Sequence, residues 1–379
     1  NNEGTDYVGT AYTFNTRELY NQLFGWGNTN DGRLGINIAS GHRSSPTQVP
    51  GNTWRSLSVG GAAASGSIAF ALATKTDGTL WSWGSNAYGA LGLNQPVPTK
   101  ISSPVQIPGT TWGTYAVRGP SRGAAIKTDG TLWAWGSNTA GELGQNNVTA
   151  YSSPIQIPGT WSSIDFGERN FVAIKTNGEM WSCGYNNRGS LGQNNRTRYS
   201  SPVQIPGTNW SQCSAAAYHC LATRTDGTLW AWGFGNYGAL GNNQNDDTAR
   251  KSSPVQVPGT TWASCKAGKQ GSMATRTDGT LWTFGINPSG RLGDNSTVNR
   301  SSPTQIPGTT WSTTQSDMWT SEEGAGALKT DGTLWVWGNS TGGELAQNNT
   351  TSVSSPIQVP GTWIAFSGGP YFRQGIKQG

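Results

Sequence analysis

A pattern of about 50 residues repeats along most of the chain, and this periodicity constrains the fold more than any other feature. The tripeptide Ser-Ser-Pro occurs seven times, at intervals of 48 to 58 residues. Each copy continues with Thr, Val or Ile, then Gln, then Ile or Val, then Pro-Gly, and shortly afterwards a tryptophan. These tryptophans are Trp54, Trp112, Trp161, Trp210, Trp262, Trp311 and Trp363. Internal repeats of this length are typical of solenoids and of β-propellers.

One copy of the repeat predicts four short strands. The first follows the repeated tryptophan, as in residues 161–166, and the second is of the type seen at residues 172–175. An Asp-Gly pair then makes a tight turn, because glycine accepts positive φ, and residues of the type 131–135 form the third strand. The fourth strand carries the Pro-x-Gln-Ile-Pro run. Its prolines cannot donate ladder hydrogen bonds, so it is predicted to be an edge strand.

The two ends of the chain complement each other. Residues 375–379 match a second strand, whereas residues 23–27 match a third strand with no second strand before it. We therefore expect residues 19–27 to pair with residues 372–379. The predicted fold is all-β: residues 18–379 form a single seven-bladed β-propeller of four-stranded antiparallel blades, with the ring closed by N- and C-terminal strands. A linear solenoid, the competing fold, would need a polar cap at each end.

The repeat resembles that of a known family. Residues 77–92 read Asp-Gly-Thr-Leu-Trp-Ser-Trp-Gly-Ser-Asn-Ala-Tyr-Gly-Ala-Leu-Gly, which is similar to the repeat of the RCC1 (regulator of chromosome condensation) family. The strand around His219 also resembles that family's His-containing strand. The resemblance covers roughly residues 19–379 and implies a seven-bladed propeller. The family includes a nucleotide exchange factor, a plant photoreceptor and a bacterial β-lactamase inhibitor. The near-identity of the repeats is most similar to bacterial surface and phage virion members.

Charge and residue inventory argue against several classes of function. The net charge is +5 with no basic run longer than Arg250-Lys251, so nucleic-acid binding is not expected. No apolar stretch approaches the ~20 residues of a membrane helix, and no CxxC pair of a zinc site is present. His42 and His219 are the two histidines. His219 adjoins Cys220, but strand neighbours point to opposite faces. We therefore expect no enzyme activity, no metal and no cofactor.

Most aromatic and basic residues follow the repeat. Eighteen of the nineteen tryptophans do so, which predicts packing between blades. One basic residue precedes the hairpin turn in each copy: Lys75, Lys127, Lys175, Arg224, Arg276, Lys329 and Lys377. Such a ring could bind an anion, but aspartates two residues further on in most copies are expected to cancel the charge, which favours a solvated rim.

Features that break the symmetry are the candidate partner-binding sites. The first is an acidic insertion in which Trp319 lies off the repeat among Asp317, Glu322 and Glu323. An aromatic residue among charges is a candidate interaction hot spot, and a surface loop folded over the first strand is the alternative.

The second feature is the long loop that ends at Arg250 and Lys251, because variable loops on a rigid scaffold commonly carry binding. Solvated connectors are the alternative for all such loops.

The third feature is an N-terminal extension, residues 1–17, which lies outside the repeat and contains Tyr7, Tyr12 and Phe14. We expect it to dock on a neighbouring subunit or on the propeller itself and to serve assembly, including oligomer formation. A frayed terminus is the alternative.

The polarity of the chain comes from Asn, Thr, Ser and Gln rather than from charge, and 54 residues are glycine. This composition, together with the regular repeats, favours a structural or binding protein of a phage virion (tail or capsid-decorating) or of a cell surface, used for host attachment. Its expected location is the virion or the extracellular surface. A soluble protein-binding propeller, such as an inhibitor or an exchange-factor-like scaffold, is the first alternative. A carbohydrate-binding lectin is the second, with a glycan as partner.

Overall fold

The computed structural model describes residues 20–61, 69–95, 99–119, 121–244, 250–321, 323–369 and 371–378. Within these ranges the chain is all-β, as predicted, and its strands form five antiparallel sheets. The helical elements are short 3-10 turns at Asn30–Gly32, Ala87–Gly89, Asn236–Gly238 and Gln315–Asp317. No helix in this part of the chain has the length and hydropathy of a membrane span.

The described strands are, in chain order, β1 (Gln22–Asn28), β2 (His42–Gln48), β3 (Trp54–Gly61), β4 (Ala69–Lys75), β5 (Leu80–Ser85), β6 (Lys100–Ile107), β7 (Trp112–Gly119), β8 (Arg122–Lys127), β9 (Thr131–Gly136), β10 (Tyr151–Phe166), β11 (Asn170–Lys175), β12 (Met180–Gly184), β13 (Tyr199–Ile205), β14 (Trp210–Ala215), β15 (His219–Arg224), β16 (Leu229–Phe234), β17 (Arg250–Val257), β18 (Trp262–Ala267), β19 (Gly271–Arg276), β20 (Leu281–Gly285), β21 (Arg300–Ile306), β22 (Met318–Thr320), β23 (Gly324–Leu328), β24 (Thr333–Gly338), β25 (Val353–Gly368) and β26 (Phe372–Lys377).

Three of the sheets are four-stranded meanders whose strands follow chain order: β3 to β6, β14 to β17, and β18 to β21. They agree with the four strands predicted for one copy of the repeat. The other two sheets have seven strands each, in the orders β13-β12-β11-β10-β9-β8-β7 and β2-β1-β26-β25-β24-β23-β22.

The seven-stranded sheets contain two unusually long strands, β10 and β25, of 16 residues each. The first part of β10, which carries Ser-Ser-Pro, pairs with β9, and the part from Trp161 onward pairs with β11. Strand β25 pairs with β24 and β26 in the same way. The predicted fourth strand is therefore not always an edge strand, because in β10 and β25 it continues into the first strand of the next copy.

The length of one connector explains this difference. In five copies two residues separate Pro-Gly from the repeated tryptophan, and the second of them has a positive φ, such as 68° at Thr111 and 69° at Asn209. A residue in this left-handed region breaks the extended backbone. Before Trp161 and Trp363 only one residue separates Pro-Gly from the tryptophan, so the fourth strand of one copy continues directly into the first strand of the next.

The predicted pairing of the chain ends is confirmed. Strands β1 and β26 are antiparallel neighbours, with Gln22 opposite Lys377 and Gly27 opposite Phe372. The N-terminal strand thus lies between β26 and β2, which come from opposite ends of the sequence.

An asparagine contact links each copy of the repeat to the next. An asparagine with positive φ follows the Gly-x-Leu-Gly turn, and its backbone N–H donates to the carbonyl of a serine in the Ser-Ser-Pro of the following copy, not in the Ser-Ser-Pro of its own copy. The donor and acceptor pairs are Asn37 and Ser102, Asn94 and Ser152, Asn146 and Ser200, Asn194 and Ser252, Asn243 and Ser301, and Asn295 and Ser354, at 2.7 to 2.9 Å. Asn348, in the last copy, accepts a side-chain hydrogen bond from Ser45, in the first.

Tryptophans pack between successive copies, as predicted. Trp135 is fully buried, and its indole N–H donates to the carbonyl of Ala90 in the preceding copy at 2.8 Å. The same contact recurs at Trp26, Trp83, Trp232 and Trp337. Truncation of such a buried ring costs on the order of 3–5 kcal/mol, so these contacts are a major source of stability.

Candidate protein-binding surface

The residues that resemble a nucleophile and a base are part of the core. His219 is fully buried, and its Nε2 lies 2.8 Å from Ser272 Oγ. Burial lowers the His219 pKa to about 4, so the ring is neutral at physiological pH. The Cys220 thiol donates to the carbonyl of Ser190 at 3.4 Å, and burial raises the pKa of this thiol well above its ordinary value. Both side chains contact their own fold, on opposite faces of the strand as expected.

The acidic insertion replaces most of a first strand. After Trp311 the chain forms the 3-10 turn Gln315–Asp317, and only the short strand β22 pairs with β23. Gln315 Nε2 donates to the carbonyls of Cys213 and Cys265, each at 2.8 Å, which anchors the turn to β14 and β18. Asp317 accepts a 2.6 Å hydrogen bond from Ser312 Oγ, and burial raises its pKa.

Trp319 lies in the core and not at the surface. It is 5% exposed, packs edge-on against Phe366, and carries the Arg373 guanidinium 3.8 Å from its ring centroid. A side chain buried to this extent contacts its own fold, which corrects the expectation of a surface hot spot at Trp319. Glu323 accepts a hydrogen bond from Asn339, and Glu322 lies outside the described residues. Partner binding by Asp317 and Glu323 stays a prediction.

Cation–aromatic contacts occur at both ends of the sheets, and the two sets differ. The hairpin end is where the Asp-Gly or Asn-Gly hairpins join second and third strands. The loop end is the opposite end, where loops join first to second and third to fourth strands. In an antiparallel meander these two sets of connections necessarily lie at opposite ends.

At the hairpin end the contacts follow the repeat. Lys127 lies over Trp112 and Trp133, at 5.1 and 4.6 Å from the ring centroids. The basic residue of every copy lies over two rings in this way, at 4.0 to 5.6 Å. The hairpin aspartates instead accept hydrogen bonds from the threonine two residues further on, as Asp77 does from Thr79. The cations therefore pack on rings within their own copy.

At the loop end the contacts do not follow the repeat. Arg188 lies 3.8 Å from the Tyr218 ring centroid and 5.7 Å from that of Phe234, and Arg250 also lies over Phe234 at 5.2 Å. Arg169 lies over Tyr185 at 5.2 Å. We call this set the arginine–aromatic surface, which consists of Arg169, Tyr185, Arg188, Tyr218, Phe234 and Arg250.

A cleft of about 190 Å³ opens within this surface. It lies between the loop that precedes β11 and the loop that follows β12. Its lining includes Glu168, Arg169, Asn170, Tyr185, Asn187 and Arg188. Tyr185 is 38% exposed, so the cleft offers an aromatic ring as well as two guanidinium groups to solvent.

The sequence identified only part of this surface. Arg250 lies on it, and Lys251 is the next residue of β17, opposite Gly233. Arg169, Tyr185, Arg188, Tyr218 and Phe234 were missed. A signal was present, since Arg188 occupies a turn position that holds no basic residue in the other copies. Tyr7, Tyr12 and Phe14 lie outside the described residues, so the docking of the N-terminal extension stays a prediction.

Among the described residues no group of His, Cys, Asp and Glu side chains has the arrangement of a metal site. The fully buried Arg122 and Glu142 form a 2.8 Å salt bridge with each other. Arg122 also donates to the carbonyl of Glu168 at 2.7 Å. These buried charges hold the loop end together, whereas the arginine–aromatic surface faces solvent.

Comparison with known proteins identifies the family. The model of the RCC1-like domain matches residues 21–373, so the chain belongs to the RCC1-like domain family. A curated relative is the human "Probable E3 ubiquitin-protein ligase HERC6", which is 30% identical over 126 residues. That match spans 32% of this chain and 12% of the relative.

Two solved yeast structures have the same fold. Yeast RCC1 (Prp20) bound to Kap60 has a TM-score of 0.80 at 18% identity, covering 99% of this chain and 95% of that one. Prp20p from Saccharomyces cerevisiae, whose structure was described with its binding to Gsp1p and histones, has a TM-score of 0.80 at 19% identity, covering 95% and 92%. These relatives are eukaryotic, and they do not support the predicted bacterial or phage type.

Proposed function

We propose that this chain is a single seven-bladed propeller that acts as a non-enzymatic scaffold for binding another protein. This is the soluble protein-binding alternative raised by the sequence, of the exchange-factor-like kind. The family and the protein partners named for the yeast relatives support it. A place in a virion or on a cell surface stays a prediction.

The seven-blade count is supported by the two 16-residue strands. If β10 and β25 each serve two neighbouring blades, the two seven-stranded sheets contain four blades, and the four-stranded sheets contribute three more. The asparagine–serine contacts also favour a closed ring, because the last of them joins Asn348 to Ser45 at the other end of the sequence.

The observation that carries the binding function is the arginine–aromatic surface. Arginine and aromatic residues are enriched among interaction hot spots. The candidate acid–base groups, in contrast, are buried in structural pairs such as His219 with Ser272.

The test measures binding of the purified chain to immobilised Gsp1p and to core histones, together with release of a fluorescent nucleotide from Gsp1p. Saturable binding to either protein is expected, and it should weaken when Arg169, Arg188 and Arg250 are all replaced by alanine. Arg55→Ala is the matched control, because Arg55 is exposed and lies outside the surface. Binding to neither protein, combined with selective binding on a glycan array, would favour the lectin instead.

A further inference from the structure

The guanidinium of Arg188 is held in place but is not satisfied. Its position 3.8 Å from the Tyr218 ring centroid fixes the plane of the group. Among the described residues it makes no hydrogen bond or salt bridge. Guanidinium carries five N–H donors in a rigid fork, so stacking on a ring leaves the donor edge open.

Arg169, which lines the same cleft as Arg188, is held in a similar way. Its guanidinium lies over Tyr185 at 5.2 Å and donates one 2.9 Å hydrogen bond to Thr139 Oγ1. Its remaining donors have no partner among the described residues. Two arginines with open donor edges therefore line one cleft of about 190 Å³.

Other arginines of this chain are paired internally. Arg122 bonds Glu142 at 2.8 Å, Arg33 bonds Asp31 at 3.1 Å, and Arg300 bonds Asp294 at 2.7 Å. Carboxylates thus satisfy these three structural arginines, whereas Arg224 and Arg276 lie over tryptophan rings at the hairpin end. The two arginines of the cleft have no carboxylate partner in the described part of the chain and line an open cleft, so an acceptor from another molecule can reach them.

We propose that the cleft between Arg169 and Arg188 binds a side-chain carboxylate from an acidic segment of the partner protein. The guanidinium fork matches the two oxygens of a carboxylate. The cleft has room for a side chain rather than a folded domain, and Asn170 and Asn187 add amide groups to its lining. This inference rests on the proposed protein-binding function and names the chemistry of the contact.

The charge of the cleft favours a short acidic segment over a polyanion. Glu168 also lines the cleft and offsets part of the positive charge of the two arginines. A nucleic-acid site normally clusters basic residues along a surface, whereas two arginines with one glutamate leave a net charge of only +1 here. A single carboxylate that lies beside Tyr185 fits this balance.

The experiment measures fluorescence anisotropy of the full chain with a labelled Gly-Ser peptide that carries Asp-Glu-Asp-Glu. Arg169→Ala and Arg188→Ala are each expected to weaken binding about tenfold, the effect of one charged hydrogen-bond pair. Arg188→Lys, which keeps the charge but loses the fork, should recover only part of the affinity. Arg55→Ala should bind as the unchanged protein does. Cooperative melting of every variant would show that all of them are folded.

A neutral control peptide carries Asn-Gln-Asn-Gln in place of Asp-Glu-Asp-Glu, and equal binding of the two peptides would overturn the inference. Unchanged binding of the acidic peptide by both alanine variants would also overturn it. So would tighter binding of a phosphoserine peptide of equal charge, or Arg188-dependent tighter binding of oligo-dT. If the peptide fails to bind while Gsp1p or histones still bind, the carboxylate assignment fails and the proposed function stands. If neither the peptide nor those proteins bind, both fail.

Discussion

The hairpin end and the loop end of this molecule use the same cation–aromatic contact in different arrangements. At the hairpin end each basic residue lies over two rings of its own copy, as Arg224 does over Trp210 and Trp230 at 4.3 and 4.4 Å. At the loop end Arg188 and Arg250 share the ring of Phe234, with strands β16 and β17 contributing ring and cation. The first arrangement recurs in every copy, and the second is found among a few neighbouring strands.

Under the proposed function, this difference separates residues for stability from residues for recognition. A contact that recurs in every copy supports the scaffold, because each copy has the same neighbours to satisfy. A partner without that symmetry must be recognised by residues that differ between copies. Cation–aromatic geometry alone therefore does not mark a candidate binding site, whereas its departure from the repeat does.

The largest expected effect comes from breaking the scaffold that both ends share. Deletion of residues 371–379 removes β26, which pairs with both β1 and β25 and buries Phe372 and Ile376. Loss of these two core side chains alone should cost at least about 5 kcal/mol. Thermal unfolding followed by circular dichroism should lose its cooperative transition. Removing only residues 378–379 keeps β26 and serves as the control, and equal melting of both proteins would contradict the role of β26.

The pH dependence of stability should reveal the contribution of His219, a buried histidine at the loop end. The His219 pKa is lowered from 6.5 to about 4 by burial, so below pH 6.5 the unfolded chain binds more protons than the folded one. The stability from this group is complete above pH 6.5 and is lost as the pH falls towards 4, by about 3 kcal/mol in total. Chemical denaturation across this range should show the loss, and His219→Gln should remove it. His42→Gln is the control variant. If the loss of stability at low pH persists in His219→Gln, another group is responsible for it.

A paired substitution tests the comparison of the two ends directly. Lys127→Met removes a cation that lies over Trp112 and Trp133, and it should lower the free energy of unfolding by about 1 kcal/mol without affecting partner binding. Arg188→Ala removes a cation from Tyr218 and should also lower the free energy of unfolding by up to about 1 kcal/mol, but unlike Lys127→Met it should weaken partner binding. Denaturant unfolding and peptide anisotropy on both variants provide the readout. If Lys127→Met weakens binding as much as Arg188→Ala, the hairpin end also takes part in recognition.

The smallest expected effect is a stabilisation. Thr111 has φ 68° in the connector that ends a strand, and a β-branched residue is unfavourable there. Thr111→Gly should relieve this strain and raise the free energy of unfolding by about 1 kcal/mol. Urea denaturation would measure the gain. The same substitution at Thr160, which lies within the continuous strand β10, should instead destabilise, because glycine weakens a strand; a gain at Thr160 would argue against the connector explanation.

Much of this architecture follows from local pattern. Short sequence motifs predicted the four strands of a copy, the tight hairpins and the packing of the tryptophans. Comparison of the two chain ends with the repeat predicted the pairing of β1 with β26. The five-sheet arrangement was also encoded, in the one-residue difference before Trp161 and Trp363, but that signal was missed, because a single residue carries it.

Tertiary structure decided where the symmetry-breaking residues lie and what they contact. The sequence marks Trp319 as exceptional but does not say whether it is buried, because its partners Phe366 and Arg373 are distant in the chain. The arginine–aromatic surface likewise combines residues from positions 169 to 250, and no local pattern relates Arg188 to Tyr218 or Tyr185 to Arg169. Repetition makes the scaffold readable from sequence, whereas a binding surface depends on distances between strands that only the folded chain defines.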